Sequence, residues 1–324
     1  MKILLIALPT TFETKVPLLE AAGHEVMLVT GRNTEEISIN LALSPDATNY
    51  VLGIIESFSP DIVINAVTTI LIPHLDIDFT YVGNTAESSQ LEINKWSSRT
   101  KAGELGWLLP TLLEECKMNN ISDYDRTVYV KPKEASKAYQ IFKRPNTLGN
   151  TNYDIIQSSS DAFNDIMTNL GLSDTDAYVE DSVDYVLEAW CFFTISNGSY
   201  SIIRTLGCTG CGDDKLPNAN GDWTTGDITL LDLNEEQRTA FITKCEAWLD
   251  YAVTCGGNYE GTIGGAITAD NSVYWFEQNS RPCTYNIGML PGTIQDWIDG
   301  LTIDSTKSIH QISAETIRTA KGFG

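Results

Sequence analysis

The stretch VYWFEQNSRP, Val273 to Pro282, runs an apolar segment into Glu277, Asn279 and Arg281, three polar residues spaced two apart. In an extended strand, residues two apart share a face. A carboxylate, an amide and a guanidinium therefore line one side of a strand whose beginning reads as buried. Glu and Asn supply hard oxygens suited to Mg²⁺, which is commonly held by one or two carboxylates together with substrate phosphates. An arginine beside them can hold a phosphate oxygen or a developing oxyanion. A solvated edge strand with an incidental ion pair accounts for the same spacing, and at this point both readings stand. Lys131 is the second candidate. It ends the apolar run of VYVKP, where a lysine can meet a phosphate as a point charge. Taken alone, an exposed lysine at a strand end is the commoner explanation. Lys137, Lys143 and Arg144 follow it closely.

These residues need a scaffold, and the composition bounds it. The chain has 324 residues, 42% of them hydrophobic. That suffices for a sizeable core and about two domains of roughly 100–200 residues. The net charge of −22 disfavours nucleic acid and anionic membrane as general partners. With 21 Lys and Arg in all, any local group of them is informative. No apolar run approaches the roughly 20 residues that span a bilayer. MKILLIALPT is short, ends in proline before its last residue, and reads as a first buried strand rather than a signal peptide. The seven Cys are odd in number and scattered; Cys208-Thr-Gly-Cys211 is a lone CxxC that reads as a structural thiol pair rather than a zinc or redox site. A cytoplasmic protein is expected. The three His (His24, His74, His310) form no Ser/His/Asp or Cys/His set with their neighbours.

KILLIAL, the helical TKVPLLEAAG and HEVMLVT predict a βαβ unit and a parallel sheet. Tyr50–Phe58 predicts a helix, DIVINAV a third strand and Phe79–Gly83 a short fourth. No GxGxxG is present, so a dinucleotide site is not supported. Glu92–Leu105 carries a helical pattern closed by Gly106, with Pro110 forcing an extended exit. Arg126–Lys131 and Ala138–Lys143 read as a hairpin, Asn152–Leu170 as a helix, and Ala177–Glu180 as a strand. Glu188–Ile195 and Tyr200–Thr205 pair around Asn197-Gly198. Gly207–Asp227 reads as a long loop, of a length that is usually functional or disordered. Glu235–Thr254 is an amphipathic helix, Gly261–Thr268 and Ser272–Glu277 are two strands, and Thr293–Leu301 is a helix.

In order along the chain, GNTAESSQLEINKWSSRTKAGELGWLLP, VYVKP, YVEDSVDYVLEAW and YEGTIGGAIT followed by VYWFEQNSRP form a set. The set resembles the ATP-grasp superfamily, and within it the phosphoribosylamine–glycine ligases. The resemblance implies an α/β fold, α+β in its ATP-binding part. A Rossmann-like pre-ATP-grasp domain would cover residues 1–88, a helical linker 89–124, a small lid subdomain 125–190, and a large subdomain with the metal site 191–324. It implies ATP, with Mg²⁺ or Mn²⁺. Lys131 would contact the phosphates, helped by Lys137; Glu180 and Val183 would lie on the hinge that reads adenine; Glu188 would bind the ribose. Glu277 and Asn279 would hold the metal, Arg281 would steady the transferred phosphoryl group, and Arg204 would stand near the phosphates or the acyl intermediate. The implied reaction joins a small-molecule carboxylate to an amine in an ATP-dependent ligase, a monomer or homodimer. The chain ends soon after its last motif, so the family's C-terminal domain is expected to be absent. PKEASKAY carries no glycine where the family's phosphate loop is glycine-rich. That keeps a second reading open, a degenerate ATP-grasp protein that binds nucleotide or a metabolite without ligase turnover.

Overall fold

A computed structural model describes residues 1–7, 16–21, 23–30, 46–67, 72, 79–114, 128–133, 142–144, 177–181, 183–209 and 229–280. The expected helices Asn152–Leu170 and Thr293–Leu301, most of the loop after Thr209, and Cys211 lie outside the described residues.

The first unit is built on β1 (Lys2–Ala7), whose Ile3, Leu4, Leu5 and Ile6 are all fully buried. Such a run fits a parallel strand covered on both faces. β1 pairs in parallel with β2 (Glu25–Thr30) on one side and β3 (Ile62–Asn65) on the other, and β3 pairs in parallel with β4 (Thr80–Val82). The order is β2-β1-β3-β4. Leu4, Ile6 and Val63 pack against Val51, Ile55 and Phe58 of α2 (Asp46–Phe58). Ile3, Leu5, Ile62 and Ile64 pack against Leu19 of α1 (Val16–Ala21). Alternate residues of one strand thus meet a helix on each face, as period two requires.

The predicted single helix over Glu92–Leu105 is two helices, α3 (Ala86–Ile93) and α4 (Lys95–Glu104). Asn94 breaks them: its side chain accepts from Ser97 N at 2.9 Å, capping α4, while its own N–H closes α3 on Gln90 O. An asparagine whose side chain satisfies the backbone locally competes with helix continuation. β5 (Leu112–Glu114), which the sequence pattern did not suggest, forms an antiparallel sheet with β6 (Val128–Pro132), β7 (Phe142–Arg144) and β8 (Ala177–Asp181), in the order β5-β8-β6-β7.

The largest sheet runs β11 (Thr229–Leu231), β10 (Ser199–Thr209), β9 (Leu187–Ser196), β12 (Tyr259–Ile267) and β13 (Val273–Asn279), antiparallel throughout. α5 (Glu235–Thr254) lies across it and buries Phe241, Cys245, Trp248, Leu249 and Ala252, a stripe at helical spacing. That stripe meets Ala189, Cys191, Phe193 and Ile195 of β9, Ile263 and Ile267 of β12, and Trp275 of β13. The core face of this sheet therefore carries the odd-numbered residues of β9 and β12. The other face is left to carry chemistry.

Candidate nucleotide and metal site

Strand register shows which side chains reach the second face. Across β9 and β12, Glu188 pairs with Ala266, Trp190 with Gly264 and Phe192 with Thr262. None of these belongs to the core cluster under α5. A regular β13 would put Trp275 and Glu277 on one face, one in the core and one outside it. A bulge at Phe276 resolves this conflict: Gly265 pairs with Trp275 but Gly264 pairs with Glu277. Trp275 stays against Trp248, centroids 4.2 Å apart, while Glu277 and Asn279 turn to the side of Trp190 and Thr262. Asn279 Nδ2 donates to Thr262 Oγ1 at 3.2 Å on that side. Bulges re-aim side chains in this way.

β10 repeats the device. Ile202 pairs with Phe193, and after a one-residue shift Arg204 pairs with Phe192. Arg204 therefore shares a row with Phe192, Thr262 and Asn279; Glu277 shares the next row with Gly264, Trp190 and Leu206. Glu188 sits one row further, beside Ala266 and Cys208. Adjacent strands lie about 4.8 Å apart and alternate residues about 6.7 Å apart along a strand. Four of the expected residues, Glu188, Arg204, Glu277 and Asn279, thus share one face of one sheet.

Lys131 and Glu180 come from the other antiparallel sheet. Lys131 pairs with Tyr178 and Tyr129 with Glu180, which sets Lys131 and Glu180 diagonally on one face. Lys131 Nζ lies 2.7 Å from Glu180 Oε2, and Arg99 Nε donates to Glu180 Oε1 at 2.5 Å. Glu180 is 2% exposed. Its carboxylate is thus held between two cations, and its backbone runs in the ladder between β5 and β6. The crossing from this sheet to β9 is made by residues 183–186, where Val183 is half-buried and Val186 N donates to Ile267 O.

Two residues that touch the candidate site escaped the sequence reading. Lys95 and Arg99 stand four apart on α4, so they share one face of that helix. Lys95 Nζ donates to Glu277 Oε2 at 2.9 Å, and Arg99 reaches Glu180. One helix face thus ties the metal-candidate strand to the sheet of Lys131. Trp96 backs the contact: its N–H donates to Lys133 O at 3.1 Å, and its ring meets Tyr178 edge-on at 5.2 Å. The available signal was the four-residue spacing of two cations in a chain with few of them.

Trp190 Nε1 donates to Glu188 Oε1 at 2.7 Å. Burial pulls the Arg204 guanidinium below its ordinary value, and Asp232 at 3.9 Å opposes that shift. Lys137 and Arg281 lie outside the described residues. For a divalent cation, Glu277 and Asn279 offer one carboxylate and one amide oxygen. Among the described residues no cluster of three His, Cys, Asp or Glu could hold a metal by itself. The pair fits Mg²⁺, which keeps waters and is bound by one or two carboxylates plus substrate phosphates. It does not resemble an all-protein cage. Glu260, fully buried, lies on β12 two residues before Thr262 and so on the same sheet face.

No family model matches the chain, and no curated protein matches it in sequence. Solved structures do match. An L-amino acid ligase from Bacillus licheniformis is 14% identical with a TM-score of 0.55, over 92% of this chain and 69% of that one. A carboxyaminoimidazole ribonucleotide synthase from Aspergillus clavatus, complexed with ATP, is 13% identical with a TM-score of 0.59, over 94% of this chain and 78% of that one. A D-alanine–D-alanine ligase from Bacillus anthracis is 15% identical with a TM-score of 0.53, over 100% of both chains. These are ATP-grasp ligases. The chain shares their fold. The mixed α/β architecture expected from the sequence is therefore present. No helix among the described residues is long and apolar enough to cross a membrane.

Proposed function

We propose that the protein is an ATP-dependent carboxylate–amine ligase. The observation that carries the reading is the gathering of Glu188, Arg204, Glu277 and Asn279 on one sheet face, with α4 linking that face to Lys131. In this reading residues 1–88 form a Rossmann-like pre-ATP-grasp domain, 89–124 a linker, 125–190 the lid and 191–324 the larger subdomain. The motif resemblance points to reactions of the phosphoribosylamine–glycine ligase kind, on small-molecule substrates in the cytoplasm.

A carboxylate is a poor electrophile because it is anionic and has no leaving group. Phosphorylation supplies both an activated carbonyl and a leaving group, and an amine then displaces phosphate to give the amide. Bound Mg²⁺ would draw charge from the phosphoryl oxygens. The protein's own contribution is positioning and charge neutralisation. Lys131, with Lys137, would bind the phosphates, and Glu188 the ribose. Glu180 and Val183 would lie on the hinge that meets the adenine edge, Glu277 and Asn279 would hold the metal, and Arg204 and Arg281 would face the transferred group. No nucleophilic side chain is required.

The test is ADP release by the full chain with ATP, Mg²⁺ and a panel of amino acids, other carboxylates and amines. Glu277→Ala should abolish release with the active pair, and release equal to the wild type would refute the assignment. A second reading has its own observation. PKEASKAY carries no glycine where close backbone approach to phosphates calls for one, which suits a protein that binds nucleotide without ligase turnover. Calorimetric binding of Mg²⁺ and ATP with no ADP release from any pair would favour it.

A further inference from the structure

The metal-candidate strand has a weak point that its neighbours secure. Because of the bulge at Phe276, the faces of Glu277 and Asn279 depend on where the extra residue sits. A slip of one residue would turn Glu277 toward the core and Gln278 toward the site. Gln278 is held on the core side, accepting from Trp248 Nε1 and donating Nε2 to Ser280 Oγ at 2.5 Å. Ser280 is fully buried, and both of its backbone groups are taken by side chains from outside the sheet. Its N–H donates to Glu92 Oε2 of α3 at 2.9 Å, and its carbonyl accepts from Asn84 Nδ2. Asn84 is itself fixed, its Oδ1 accepting from Ser88 Oγ at 3.0 Å, and Ser88 completes the capping box of α3 with Thr85. Glu92 and Asn84 are 8% and 5% exposed. A backbone N–H bound by a buried carboxylate is a charge-assisted contact, stronger than a neutral one.

We infer that Glu92, with Asn84, is a positioning residue that locks the exit of β13, so that the bulge keeps Glu277 and Asn279 facing the site. The inference rests on the ligase reading for its consequence in binding, but the lock itself can be read without any ligand. The experiment uses the full chain and compares Glu92→Ala and Glu92→Gln with the wild type. Hydrogen exchange is followed on the peptide spanning Phe276–Ser280. Mn²⁺ is titrated with and without ATP, followed by loss of the free Mn²⁺ electron-spin-resonance signal.

Glu92→Ala should speed exchange of the Ser280 amide by roughly tenfold or more, the scale of one lost buried hydrogen bond. It should weaken Mn²⁺ binding in the presence of ATP by about tenfold while metal-free ATP affinity stays within about twofold, since it acts on the metal strand alone. Glu92→Gln keeps an oxygen acceptor and should restore most of both readings. Exchange unchanged within twofold in a folded Glu92→Ala protein overturns the inference. So does accelerated exchange with Mn²⁺ binding unchanged, since the lock then does not serve the metal residues. If Glu92→Ala does not fold, Asn84→Ala, which releases the Ser280 carbonyl, is judged by the same criteria. A wild type that binds neither ATP nor Mn²⁺ refutes the ligase reading, and with it the positioning role at the metal. The exchange result then decides the structural lock alone.

Discussion

Glu180→Ala tests the junction between the two antiparallel sheets. The change removes a carboxylate that is 2% exposed and leaves Lys131 and Arg99, both largely buried, without it. Arg99 keeps one partner, since Nη2 donates to Pro110 O at 2.7 Å; for Lys131 the ion pair to Glu180 is the described contact. Removing one member of a buried ion pair costs about 3–5 kcal/mol, because the remaining charge stays out of water. Here the upper half applies, since two cations lose one anion. Thermal unfolding should show this as a drop on the order of 10 °C. Salt up to about 0.5 M should not recover it, because buried pairs are little screened. Glu180→Gln keeps one oxygen acceptor, enough for Arg99, and should fall between the wild type and Glu180→Ala. Lys131→Met removes a charge together with its desolvation cost and should cost less than Glu180→Ala. A Glu180→Ala protein within about 0.5 kcal/mol of the wild type, the range of surface substitutions, would refute the placement of α4 against β8.

Gly261 and Gly264 should respond differently to alanine. A Cβ at Gly261 would stand 2.5 Å from Asn279 O and 2.6 Å from Phe193 Cζ, so Gly261→Ala must push β13 from β12 at a cost of about 1–3 kcal/mol. At Gly264 the nearest atom is 3.8 Å away, so Gly264→Ala should melt close to the wild type; equal melting of both variants would contradict the register. The pH dependence of Tyr81 has a definite sign. Burial raises its phenol from 10.0 to about 12, against the hydrogen bond from Asn65. Its folded pKa lies above the unfolded one. Its contribution is therefore complete below pH 10 and is lost as pH rises from about 10 through about 12, at up to about 1.4 kcal/mol per pH unit. Tyr81→Phe should flatten the alkaline fall in stability over that window; an unchanged slope in melts from about pH 10 to 12 would count against the burial.

The scaffold was legible wherever period and punctuation agreed. Four buried residues in β1 form the parallel strand that KILLIAL predicted, and α5 spans the predicted Glu235–Thr254. Gly257 needs to be glycine for its φ of +95°, and a Cβ there would also crowd Ser88 Oγ at 3.1 Å. What pattern could not show was any effect of one residue on register. VYWFEQN alternates as though Trp275 and Glu277 share a face, and only the pairing to Gly264 and Gly265 shows the bulge that separates them. Glu277 and Asn279 do share a face, but for a reason that alternation alone could not supply. β5 was missed because three residues carry too little period to register.

Electrostatics explains why the basic part of the site was only half read. A chain with 43 acids and 21 bases can bury a cation only beside an anion, so its buried Lys and Arg must be sought as pairs. The sequence directed attention to Lys131, Lys137, Lys143 and Arg144, neighbours along a hairpin. Lys95 and Lys131 are buried and Arg99 largely so, and their anions are Glu277 and Glu180, up to 182 residues away in sequence. Local spacing shows which residues share a face, but a counter-ion is chosen by the fold. Lys95 and Arg99 became visible as site residues only when α4 was laid against β13 on one side and β8 on the other. The same contacts make any ligand at Glu277 or Lys131 compete with a protein partner already 2.9 Å or 2.7 Å away. Affinity at this site is therefore a difference between two sets of paired charges, and an isolated count of its charged residues would overstate it.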